Sequence, residues 1–183
     1  MRTPWLRPKR LAFAGLTMLA ALALPATTLA ATITGTSGND TLTGTAGADW
    51  IYGLAGNDTI YGLAGDDHLY GGLGSDHIYG GYGADVIVGG AGSDVLSGGP
   101  GPDAISGGSG NDLIYGGDGN DVIVGGSGHD IIYGGYGNDV IVVGGDDTGD
   151  AVHCGPGWDV VYAGRFDIVD SSCERVIRNL EPS

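Results

Sequence analysis

Gly71-Gly72-Leu73-Gly74-Ser75-Asp76-His77-Ile78-Tyr79 is one of twelve nine-residue units that run from Gly35 to Val142 without insertion or deletion. Every unit has Gly at positions 1 and 4, Asp at position 6 and Leu or Ile at position 8. The aspartates are Asp40, Asp49, Asp58, Asp67, Asp76, Asp85, Asp94, Asp103, Asp112, Asp121, Asp130 and Asp139, and the apolar residues lie two places after each, from Leu42 to Ile141. Glycines in the first six positions permit positive φ and tight turning. The last three positions put an apolar residue between two flanks, so each unit reads as turn, short strand, turn. Side chains alternate along a strand, which sends position 8 inward and positions 7 and 9 outward. One such unit buries nothing alone. Two units per coil give two parallel sheets facing each other across a thin aliphatic core, with strands about 4.8 Å apart. The expected fold is all-β, a parallel β-solenoid.

This stacking sets carboxylates of one sign in rows at the strand spacing, a repulsive arrangement unless positive charge lies between them. Calcium meets the need, because it takes 6 to 8 oxygen ligands and accepts backbone carbonyls as readily as carboxylates. Magnesium prefers a tighter octahedron and keeps its waters; zinc and copper favour His or Cys, which are sparse here. Aspartates that only capped turns would leave one aliphatic side chain per nine residues to offset the ordering entropy of a glycine-rich chain.

The quoted unit fits the nonapeptide of the calcium-binding RTX (repeats-in-toxin, hemolysin-type) proteins, and the chain resembles that family over residues 35–142. The resemblance implies a right-handed parallel β-roll with Ca2+ between neighbouring turns, held by the position-6 aspartates and turn carbonyls. All twelve aspartates named above are then expected metal ligands, with ten internal sites at most, since twelve turns are paired along two edges. Thr36, Thr45, Leu54 and Leu63 replace the second glycine of the first four units, and Pro100 and Pro102 stiffen one turn, so weaker binding is expected there. The repeat region is expected to fold on binding metal, as small metal-dependent domains do. Many relatives carry a C-terminal secretion signal, whereas this chain has an N-terminal one, so the export route does not carry over.

That N-terminal segment has Arg2, Arg7, Lys9 and Arg10, an apolar run from Leu11 to Leu24, and small residues ending at Ala30-Ala31. This is the layout of a secretory signal cleaved near Ala30, and the run is short of the roughly 20 residues a membrane span needs. The expected organisation is a signal peptide over 1–30, a calcium-binding roll over 31–142 and a capping region over 143–183. Removing residues 1–30 takes away four of seven basic residues and none of 22 acidic ones, leaving a formal charge of 3 minus 22, or −19. Such a charge opposes nucleic acid and anionic membrane as partners and favours calcium ions, about ten of which would nearly balance it. Cys154 and Cys173, in an exported chain, read as a disulfide closing a loop of about 20 residues. The alternative, two thiolate metal ligands, lacks further soft ligands at suitable spacing.

Alternate units belong to opposite sheets. One outer face then carries Tyr61, Tyr79, Tyr115 and Tyr133; the other carries Trp50, Tyr52, His68 and Tyr70, followed by Val86, Val88, Val122, Val124, Val140 and Val142. The valines read either as ordinary strand formers or as a surface for self-association or a protein partner. After Val142 the period slips, but Asp150-Ala151-Val152, Asp159-Val160-Val161 and Asp167-Ile168-Val169 echo it. Trp158, Phe166, Val176, Ile177 and Leu180 are expected to cover the last core layer. Asp146, Asp147 and Asp150 form an acidic loop that could take a further ion.

His68, His77, His129 and His153 are scattered, and neither a His-Glu-x-x-His motif nor a Gly-x-Ser-x-Gly elbow is present, so no enzyme is expected. The ice-binding surfaces of some relatives present Thr and Asn from the turns, but position 3 here is never Thr. The reading is a secreted, extracellular calcium-binding protein with a structural or interaction role. A calcium-dependent adhesin or cell-surface matrix component is the alternative.

Overall fold

The computed structural model describes residues 29–143, 145 and 148–178; residues 1–28 of the expected signal segment, Asp146, Asp147 and Leu180 lie outside the described residues. The strands are β1 (Thr32–Thr34), β2 (Thr41–Thr43), β3 (Trp50–Ala55), β4 (Thr59–Ala64), β5 (His68–Leu73), β6 (His77–Tyr82), β7 (Val86–Ala91), β8 (Val95–Pro100), β9 (Ala104–Ser109), β10 (Leu113–Asp118), β11 (Val122–Ser127), β12 (Ile131–Tyr136), β13 (Val140–Val142), β14 (Ala151–His153), β15 (Val160–Ala163), β16 (Ile168–Val169) and β17 (Arg175–Arg178). Odd-numbered strands form a nine-stranded sheet and even-numbered strands an eight-stranded one. Every pairing is parallel. Successive strands therefore alternate between sheets, and two units make one coil, as the period requires. Among the described residues no helix is long and apolar enough to cross a membrane.

Register follows the repeat: Ile51 lies beside Leu69, and Leu69 beside Ile87, while Ile60 and Ile78 continue to Leu96 on the other sheet. These side chains are fully buried, and the two columns extend through Ile141 to Val161 and through Ile132 to Val152. Ile33 and Leu42 are only partly buried at the N-terminal end. The other end differs from expectation. Trp158 and Phe166 point outward, 65% and 54% exposed; the last core layer is made by Val161, Ala163, Val169 and Cys173, and of the residues expected over it Val176 stands in register beside Val161. Both aromatics occupy turn sites just before Asp159 and Asp167, positions that face solvent throughout the roll. Cys154 and Cys173 form the disulfide.

Strands β3 to β12 have six residues rather than three. Pairing continues through positions 1 to 3 because the position-2 glycines adopt positive φ and align between coils, as Gly72 does with Gly90; only positions 4 to 6 remain as the turn. Leu54 and Leu63 hold that same position with φ of 82° and 84°, forced there by register with Gly72 and Gly81. A left-handed conformation costs a non-glycine residue about 1–2 kcal/mol, against roughly 0.5–1 kcal/mol of chain entropy that glycine would forfeit. The double variant L54G/L63G is expected to stabilise the folded roll by about 1 kcal/mol. Denaturant titration in saturating calcium checks this, and a destabilised variant would show that leucine packing outweighs the strain.

The outer faces carry aromatic ladders. Tyr61 stacks on Tyr79 at 5.2 Å and Tyr115 on Tyr133 at 5.1 Å; on the opposite face Tyr52 stacks on Tyr70 at 5.0 Å and Trp50 on His68 at 4.1 Å. In parallel strands identical outward residues meet at the strand spacing, which suits offset stacking. The valines lie on the nine-stranded sheet, but Ala104 and Ser106 separate Val86 and Val88 from Val122 and Val124.

Candidate metal centres

Each position-6 aspartate lies at the base of a turn, and parallel stacking sets it directly over its counterpart in the next coil. Two carboxylate columns result. One runs Asp40, Asp58, Asp76, Asp94, Asp112, Asp130, Asp150 and Asp167, each backbone N–H donating to Oδ1 of the next residue at 2.8–3.1 Å. The other runs Asp49, Asp67, Asp85, Asp103, Asp121, Asp139 and Asp159, with N–H to Oδ1 distances of 2.7–2.9 Å, and ends where Asp159 N–H donates to Glu174 Oε2 at 2.8 Å. All twelve aspartates of the repeat thus occupy one kind of position. Asp150, Asp159, Asp167 and Glu174 also join the columns, although the strict repeat stops before them. The signal was present for Asp159: Cys154 to Tyr162 is a nonapeptide with Gly155, Gly157, Asp159 and Val161 in place, and Cys in place of the first glycine. Spacings of 20 and 17 residues around it, instead of 18, hide it from a fixed period.

The second carboxylate oxygen is the informative one. In Asp58, Asp67, Asp76, Asp85, Asp94, Asp103, Asp112, Asp121, Asp139 and Asp159, Oδ2 is buried with no hydrogen-bond partner among the described residues. These side chains are at most 2% exposed. A bare, buried carboxylate oxygen is costly, and repetition at every coil rules out a local accident. The first glycine of each unit explains where the oxygen points. A Cβ on Gly62 would lie 2.5 Å from both Asp67 Oδ2 and the Gly80 carbonyl oxygen; on Gly134 it would lie 2.5 Å from Asp139 Oδ2 and 2.7 Å from the Cys154 carbonyl oxygen. A carboxylate oxygen and a carbonyl oxygen from the next coil therefore converge beside a residue that has no side chain. Gly53, Gly71, Gly80, Gly89, Gly98, Gly107 and Gly116 repeat this arrangement.

The electrostatics agree with the geometry. Burial, partly offset by the backbone N–H bond and reinforced by aspartates in the same column, raises Asp103 and Asp112 from 3.8 to about 7. Asp94 and Asp121 rise to about 6 for the same reasons, as does Asp67. Asp76, Asp85, Asp139 and Asp159 are raised too, burial again being the largest cause. Without a counter-charge the columns resist ionising, and a bound cation removes that resistance. Among the described residues no three His, Cys, Asp or Glu side chains converge. An ion here would take a carboxylate and complete its shell with carbonyls, an all-oxygen donor set suited to calcium.

The first two rungs differ. Asp40 Oδ2 accepts the Thr36 N–H at 2.6 Å and the Thr36 hydroxyl at 2.9 Å. Asp49 Oδ2 accepts the Thr45 N–H at 2.5 Å and its Oδ1 the Ala31 N–H at 2.6 Å, while the one proton of the Thr45 hydroxyl is shared between the Leu29 carbonyl at 3.0 Å and Asp49 Oδ1 at 3.1 Å. At the other end Asp167 Oδ2 accepts the Gly164 N–H at 2.6 Å.

His77 lies near enough to Asp76 and Asp94, and His68 to Asp85, to offset a small part of their upward shift. His68 stacks on Trp50, His129 shares Nδ1 with Gly149, and His153 lies 2.5 Å from Asp170 while stacking on Tyr133.

The profile of the RTX calcium-binding nonapeptide repeat, four copies per match, fits residues 34–69, 61–96, 89–123, 97–132 and 115–148. No curated protein matches the chain. Proteins of these repeats bind calcium through a β-roll and are typically extracellular and structural rather than catalytic. With its matched units spanning residues 34–148 and their aspartates stacked in two columns, the chain belongs to the RTX calcium-binding nonapeptide repeat family.

Proposed function

We propose that the protein is a secreted, non-catalytic calcium-binding module whose roll is completed by about ten Ca2+ ions, serving a structural or interaction role outside the cell. The observation that carries this is the bare Oδ2 beside a carbonyl of the next coil, repeated along both columns. The ligand set is Asp58, Asp67, Asp76, Asp85, Asp94, Asp103, Asp112, Asp121 and Asp139, with Asp130 included by its place in the ladder. Asp159 is left out because its unit begins with Cys154, and a Cβ there fills the volume that glycine leaves open elsewhere. Calcium supplies positive charge between rungs; the chain supplies preformed rows of hard oxygen donors.

Support for export comes from the N-terminal layout, support for a non-catalytic role from the absence of a catalytic motif in the sequence. The valine strips are short and divided, and no partner is assigned to them. Equilibrium dialysis of the purified chain against calcium is expected to load about ten ions, with magnesium failing to substitute at equal concentration. Loading of one or two ions only would defeat the proposal.

A further inference from the structure

Two threonines close the first rung of each column in the way a metal would close the others. Strands β1 and β2 end at position 9, whereas β3 to β12 continue through position 3. Thr36 and Thr45 stand at position 2, where later units have a residue with positive φ; neither threonine does. Their backbone turns earlier, and the threonine N–H points at the aspartate of its own unit. Both rungs retain the first glycine: a Cβ on Gly44 would lie 2.6 Å from Asp49 Oδ2 and from the Gly62 carbonyl oxygen. The oxygens are thus placed as in later rungs, and only the donors filling Oδ2 distinguish them.

We infer that Asp40 and Asp49 bind no calcium, and that among the twelve units that begin with glycine position 2 decides whether a unit takes an ion: threonine turns the backbone so that hydrogen-bond donors replace it, while glycine, or leucine held at positive φ, leaves the carboxylate open to it. This rests on the calcium reading above and narrows the twelve aspartates expected as ligands. The Thr36 N–H and hydroxyl donated to Asp40 Oδ2, and the Thr45 N–H donated to Asp49 Oδ2, satisfy these oxygens without desolvating an ion, so the N-terminal end of the roll is closed without metal. Thr36 also accepts the Gly38 N–H at 3.2 Å, and Thr45 the Gly47 N–H at 3.1 Å, so each hydroxyl organises its turn as well as its aspartate.

The test is calcium stoichiometry of the full chain by dialysis, with far-UV circular dichroism to confirm folding. D40N/D49N is expected to bind as many ions as the parent, whereas D85N/D94N loses about two. T36G/T45G, which gives both units the later glycine pattern, is expected to gain about two ions. Loss of ions in D40N/D49N while the parent loads normally overturns this inference and leaves the calcium reading intact, as does a folded T36G/T45G that gains none. A parent that binds no calcium defeats the calcium reading itself.

Discussion

Excess chelator near neutral pH is expected to abolish the β-sheet spectrum of the roll, and added calcium to restore it. Burying an ionised carboxylate without compensation costs several kcal/mol in a real protein, and ten such oxygens lie bare and buried in the columns. The sum is tens of kcal/mol, whereas folded domains are stable by about 5–15 kcal/mol in total. One aliphatic side chain per nine residues cannot make up the difference. Calcium binding and folding are then one event, as in other domains whose site does not exist until the chain orders. The measurement is circular dichroism with chelator and then calcium, with magnesium as the control. A β spectrum and cooperative melt that persist unchanged in chelator would mean the columns close without metal.

The second large effect is an inverted acid response of the calcium-free protein. Carboxylates in most folded proteins titrate below their unfolded values, so acid destabilises. Here burial, together with neighbouring carboxylates, raises Asp67, Asp94 and Asp121 to about 6 and Asp103 and Asp112 to about 7, against 3.8 ordinarily. The folded state therefore binds more protons than the unfolded one between pH 3.8 and about 7. The stability these groups contribute is full below the unfolded value and is lost as pH rises through the folded one. In chelator, acidification from neutral pH toward about pH 4.5 is expected to recover β structure, with a midpoint near the raised values. In calcium the trend reverses, because protons compete with the ion for the same oxygens. Calcium-free protein that stays equally unfolded from pH 7 to pH 4.5 would show that proton uptake does not relieve the columns.

The two states answer to one cause. A divalent ion and a proton are alternative ways to neutralise the same buried oxygen, and only the ion also recruits the carbonyl of the next coil. Calcium is therefore expected to give a tightly ordered roll, with acid giving a weaker one. Ladders such as Tyr61 on Tyr79 add about 0.5–1.5 kcal/mol per pair, too little to replace either.

Much of the fold is legible in the nonapeptide because its constraints are local and repeated. A position-8 Leu or Ile between two outward residues can be buried only by a neighbour with the same pattern, so period and strand parity decide sheet membership; Ile51, Leu69 and Ile87 form one column and Ile60, Ile78 and Leu96 the other for that reason. Strand length was not legible. Glycine at positions 1 and 2 reads as turn on propensity alone, but the left-handed φ of the position-2 glycine keeps the chain in register with the next coil. The cap was misread for a related reason. Trp158 and Phe166 suggest core by residue type, yet their place just before a ladder aspartate turns them to solvent.

What the residues determined without help is the period, the two sheets, the aspartate columns and the all-oxygen chemistry, since each follows from side-chain type at a fixed spacing. Only the tertiary structure separated carboxylates with a bare oxygen from those already satisfied, and carried one column on to Glu174. Position 6 is Asp in every unit from Asp40 to Asp139, so the sequence treats these rungs alike. Whether an oxygen needs a cation depends on which donors the backbone path brings within hydrogen-bond distance, and that path is set by stacking between coils.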